Sequence, residues 1–147
     1  MCTYLIAIGN VLRRDDGAAH RALELLGGTR AVMQLTPEIA SEIAMCDRVM
    51  FLDASIDPGE SRIERVSPQA TGSLTHDLTP GAVVYLAEHL YGFRGEAFLC
   101  RIPGVDFGMG EGLSPEAQHN VEIAIRLVSA WLPWPPAPES RPPVQLP

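Results

Sequence analysis

The 147-residue chain has no lysine: its eleven basic side chains are all arginine, set against eighteen acidic ones for a formal net charge of −7. An acidic chain without a basic run lacks the electrostatic footprint of a protein that grips nucleic acid or an anionic membrane. Cysteine is scarce and odd in number. Cys2, Cys46 and Cys100 lie far apart with no C-x-x-C pair, which speaks against a disulfide framework or a thiolate zinc site, and reduced thiols are expected. No apolar run approaches the roughly 20 residues of a membrane span, and no charged-then-apolar signal segment opens the chain, so a cytoplasmic location is expected. Neither G-x-G-x-x-G nor G-x-x-x-x-G-K-[ST] occurs, no lysine is present to reach a phosphate, and Asp15 and Asp16 would repel an anion; nucleotide binding is disfavoured. Ser55, Ser73 and Ser114 sit in no G-x-S-x-G elbow. What is present, 46% hydrophobic and 20% charged residues, suits one ordinary globular core.

The patterning predicts alternating strands and helices. Thr3–Ile8 is a nearly continuous apolar run ending in Gly9-Asn10, as in a strand buried on both faces. After Asp15-Asp16-Gly17, Ala19, Ala22, Leu23 and Leu26 mark one helix face, stopped by Gly27-Gly28. Ala31–Leu35 reads as a second strand, Arg48–Leu52 as a third, Arg62–Val66 as an edge strand and Ala97–Ile102 as a last core strand. Three Ser/Thr-Pro pairs, Thr36-Pro37, Thr79-Pro80 and Ser114-Pro115, read as helix starts, because the hydroxyl caps and Pro lacks an N–H that would be unpaired. The expected fold is α/β: a three-layer α/β/α sandwich around a mostly parallel, twisted sheet of about five strands, formed by residues 1–132 as a single domain. Residues 133–147 are a Pro-rich tail, expected to be flexible.

Open α/β sheets bind ligands beyond the carboxyl ends of their strands. Three polar segments qualify: Asp15-Asp16 after the first strand, Asp53-Ala54-Ser55 after the third, and Thr75-His76-Asp77 before a helix. Two carboxylates and an imidazole form a plausible ligand set for a borderline divalent metal. Each also has an ordinary reading. Asp15 and Asp16 suit helix capping, Asp53 a turn, and His76 a surface loop, while His20, His89 and His119 fall in helices as structural or exposed residues.

The segments IAIGNVLRRDDGAAHRALELL, QLTPEIASEIAMCDRVMFLDAS, LTHDLTPGAVVYLAEHLYG and GEGLSPEAQHNVEIA resemble, in order, four segments of the hydrogenase maturation proteases. The resemblance spans about residues 3–130. It implies an endopeptidase that removes the C-terminal extension of a nickel–iron hydrogenase large-subunit precursor. It implies that nickel borne by this substrate is recognised by Asp16, Asp53 and His76, with other divalent cations able to substitute. The implied partner is that precursor, with neither nucleic acid nor membrane involved and a monomer as the default state. The family usually carries Gly where this chain has Ala19, and the tail is no part of its pattern. No nucleophile or general base is assigned. The alternative is a non-catalytic metal- or partner-binding protein on the same scaffold.

Overall fold

The computed structural model describes residues 2–70 and 78–133. β1 (Thr3–Ile8) leads through a 3-10 turn (Arg14–Gly17) into α1 (Ala18–Leu26), β2 (Arg30–Val32), α2 (Glu38–Ile43) and β3 (Arg48–Ser55). β4 (Arg62–Arg65), α3 (Pro80–Tyr91), β5 (Glu96–Pro103) and α4 (Pro115–Trp131) follow. The five strands form one sheet in the order β2-β1-β3-β5-β4. β2, β1, β3 and β5 run parallel, and β4 pairs antiparallel with β5 at an edge. The expected α/β sandwich is the fold observed.

Strand parity builds the two cores. Tyr4, Ile6 and Ile8 of β1, Val49 and Phe51 of β3, and Ala97 and Leu99 of β5 face α2 and α3, where Ile39, Ile43 and Val83 meet them. The alternate residues Ala7, Met50, Leu52, Cys100 and Ile102 face α1 and α4, where Ala19, Leu23, Val121 and Val128 close the second core. Both faces of the central strands are covered, which explains their unbroken apolar runs. Ala19 is fully buried in this packing, so a methyl group is accommodated at this position.

Helix boundaries follow the caps in two cases of three. Thr79 Oγ1 accepts from the Ala82 N–H at 3.1 Å and Gly92 closes α3 in the left-handed region. Ser114 Oγ accepts from the Ala117 N–H at 3.1 Å at the start of α4. At α2, by contrast, Pro37 is the capping position and no side chain caps. β2 stops at Val32, shorter than expected, whereas β3 continues to Ser55, so Asp53 belongs to the strand itself. The expectation of three reduced thiols is corrected: Cys2 and Cys46 form a disulfide with Cα atoms 4.6 Å apart. β1 and β3 are neighbours with Thr3 opposite Arg48, which brings the two cysteines together across 44 positions of chain. Cys100 is free and buried. No helix among the described residues is long and apolar enough to cross a membrane.

Candidate functional site

Parallel pairing puts the carboxyl ends of β1, β3 and β5 side by side. The register aligns Ile8 with Asp53 and Asp53 with Arg101, so by strand parity Asp53 lies on the face of β3 that carries Val49 and Phe51. Gly9, directly after β1, has φ +148°, and a Cβ there would overlap the Asp16 carbonyl oxygen. Glycine is therefore what lets the 3-10 turn fold back onto the strand end. There the Asp16 carboxylate accepts from the Asn10 N–H at 2.6 Å, while Asn10 Oδ1 accepts from the Leu12 N–H at 2.9 Å.

Asp15 and Asp16 do not cap α1. Its N-cap is Gly17, without a side-chain bond. Asp15 instead is completely buried and ties three segments together. Its Oδ2 accepts from the backbone N–H groups of Val105 (2.8 Å) and Asp106 (2.9 Å) and from Ser114 Oγ (2.6 Å), and its Oδ1 accepts from the Ser114 N–H (2.7 Å). Burial alone would raise the Asp15 pKa, but the Ser114 side-chain and backbone bonds, with those of Val105 and Asp106, outweigh it and hold the carboxyl below its ordinary value. A Cβ at Gly104 would stand 2.6 Å from the Asp15 Cβ, so the β5 exit passes this carboxylate with no room to spare.

Asp53 has the opposite environment. Burial, then the negative charge of Asp16, push its pKa up to about 7, against a weaker pull from the Ala54 N–H and from Arg101. Arg101 itself donates from Nε to Glu64 Oε2 at 3.0 Å, and Glu64 also pairs with Arg62 at 3.4 Å. Asp53 opens onto a groove of about 450 Å³ bounded by Leu99 and Arg101 of β5, Glu64 and Arg65 of β4, and Thr79, Pro80 and Gly81 at the start of α3. A second hollow of about 550 Å³, lined by Val11, Arg14, His20 and Glu111 among others, lies on the α1 side without Asp16 or Asp53.

Two of the three ligand candidates thus meet electrostatically at one edge of the sheet. Thr75, His76 and Asp77 lie outside the described residues, as does the chain beyond Pro133. Among the described residues no group of three His, Cys, Asp or Glu side chains could hold a metal ion. His20 contacts the Val32 carbonyl at 3.2 Å and His89 the Tyr85 carbonyl at 2.9 Å, the structural roles expected of them. Local pattern gave no sign of Arg101 beside Asp53 or of the Asp15 clamp. Arg101 becomes visible once the two strands are aligned from Arg48 and Glu96, five residues before Asp53 and Arg101 respectively.

No family model matches the sequence, and no curated protein does. Solved structures do share the fold. A [NiFe] hydrogenase maturation protease, HybD, from Thermococcus kodakarensis superposes with a TM-score of 0.63 at 22% identity, covering 89% of this chain and 99% of that one. The hydrogenase maturating endopeptidase HybD from E. coli gives 0.63 at 21%, covering 90% and 92%. HycI, a [NiFe] hydrogenase maturation protease from T. kodakarensis, gives 0.66 at 20%, covering 88% and 90%. The likeness extends over nearly the full length of each, and establishes the fold.

Proposed function

We propose that this chain is an endopeptidase that removes the C-terminal extension from a nickel–iron hydrogenase large-subunit precursor, and that it recognises the substrate's nickel through Asp16, Asp53 and His76. The observation that supports this best is that β1 sets its exit, with Asp16 folded back onto Gly9, beside Asp53 at the carboxyl edge of a sheet whose fold is shared with proteins named as hydrogenase maturation proteases. Two carboxylates whose charges repel each other at the edge of the core favour a cation shared by both, because their mutual repulsion becomes attraction to that charge. Carboxylate and imidazole donors suit a borderline divalent ion, and three protein ligands leave positions for the substrate's own. Leu78, two residues after His76, lines the groove that Asp53 also lines.

In this reading the metal is cargo of the substrate, and the protein's own groups position it. Asn10 holds the Asp16 carboxylate by its backbone N–H, and Asp15 fixes the turn from which Asp16 projects. Cys100 is no nucleophile: burial pushes its thiol up to about 12. The test is to incubate the chain with nickel-loaded and nickel-free precursor and follow loss of the extension by mass spectrometry. Loss from the nickel-loaded form alone is expected. Cleavage of neither form, or equal cleavage of both, overturns the proposal.

A further inference from the structure

Six large apolar side chains stand in water at the edge of the sheet that carries Asp16 and Asp53. Val11 and Leu12 follow β1, Met33 follows β2, Ile56 follows β3, and Val105 and Met109 follow β5; they are between 49% and 79% exposed. Because these four strands are parallel, their exits share one edge, and each exit displays at least one such side chain. Singly exposed apolar residues are ordinary, but a cluster around a polar centre marks an interaction surface.

The loops that carry these residues are bound to one another beside them. The Gly9 N–H donates to the Val32 carbonyl at 3.0 Å, next to Met33, and the Gly104 N–H to the Ser55 carbonyl at 2.9 Å, between Ile56 and Val105. The Gly110 N–H donates to the Leu12 carbonyl at 2.8 Å, beside Met109, and Asp15 holds the Val105 N–H at 2.8 Å. A surface ordered in advance loses little conformational freedom on binding.

We infer that this apolar collar is the docking face for the folded body of a protein partner that presents an apolar surface around a bound cation. The inference rests on the proposed function, whose substrate is such a protein. Four strands at about 4.8 Å spacing make the face roughly 15 Å across, too broad for one extended peptide. Its centre bears the carboxylates of Asp16 and Asp53, so the complementary surface is cationic there. A second copy docked face to face would bring two such acidic centres together, which is electrostatically unfavourable. The chain's own tail leaves from the far edge: α4 ends at Trp131, whose carbonyl accepts from Arg48 at the start of β3 at 2.7 Å.

Methionine oxidation footprinting tests the collar on the full chain. Met33 (65% exposed) and Met109 (76%) lie on it, and Met45 (86%), just before β3, serves as the control on the opposite edge. Nickel-loaded precursor under single-turnover conditions is expected to slow oxidation of Met33 and Met109 about tenfold and leave Met45 unchanged, and Met109→Glu or Val105→Glu to weaken precursor binding about tenfold or more. Unprotected Met33 and Met109 in a chain that still removes the extension overturn the collar and leave the processing reading standing. Protection without cleavage overturns that reading and keeps the collar, while neither overturns both. Equal protection by nickel-free precursor overturns the cationic centre. Protection in the free chain that grows with concentration assigns the face to a second copy, and concentration-independent protection assigns it to the chain's own tail; either overturns the proposed occupant.

Discussion

Asp15 and Asp53 are two acids at one edge of the same sheet, and the protein treats them in opposite ways. Asp15 is sealed from water and answered by four hydrogen bonds from the β5 exit and the start of α4. Asp53 is only partly buried, yet it faces the charge of Asp16 and has few partners of its own. One carboxylate is complete within the fold, while the other has charge that the fold leaves unanswered. Such an uncompensated acid lowers stability and persists where an outside group answers it. The difference separates an acid whose charge the fold itself satisfies from one whose charge it does not, although locally the first read as a helix cap and the second as a turn residue.

The comparison breaks most sharply if Asp53 proves dispensable. Asp16→Ala, Asp53→Ala and His76→Ala are each expected to abolish processing of nickel-loaded precursor in a chain that still folds. Normal cleavage by all three would remove the functional half of the contrast. Asp15→Ala is expected to lower stability by about 3–5 kcal/mol, because it strands the N–H groups of Val105, Asp106 and Ser114. Urea denaturation measures this, and a loss under 1 kcal/mol would place Asp15 in the same class as Asp53. Ser114→Ala removes both the α4 cap and one donor to Asp15, and is expected to cost about 1–2 kcal/mol in the same assay.

The pH profile offers a further contrast, in which the two acids have opposite signs. Asp53, raised to about 7, favours folding most below the ordinary carboxylate range, and that contribution is lost as pH rises toward and through 7. Asp15, held below its ordinary value, stabilises above that value and stops doing so as pH falls through its lower folded one. Asp53→Asn should therefore gain stability relative to the parent chain between about pH 4 and 7, and keep the gain above it. A pH-independent difference between the two chains would show that Asp53 is not the uncompensated acid.

Much of this architecture was visible in short stretches of chain. The buried run of β1, the Thr79 and Ser114 caps and the Gly27 and Gly92 stops depend on contacts within a few residues, and each appears where its pattern put it. The Thr36 cap did not form, and nothing in the structure explains why. The role of Asp15 was hidden because its partners lie 90 to 99 positions away. The disulfide was hidden for the same kind of reason, since spacing of 44 residues says nothing until β1 and β3 are neighbours.

Periodicity, caps and strand-end position were enough to specify a parallel α/β sandwich and to mark Asp15-Asp16, Asp53 and His76 as candidates, with Asp16 preferred to Asp15 only through the family resemblance, because hydrophobic burial and helix termini act locally along the chain. The sheet order decided the rest. By setting β1 beside β3 and β3 beside β5, it brought Asp53 within reach of the Asp16 charge and into register with Arg101, surrounded Asp15 with donors, and gathered four strand exits into one apolar collar. Charge state and surface recognition depend on distance through space, and that distance exists only once the strands have paired.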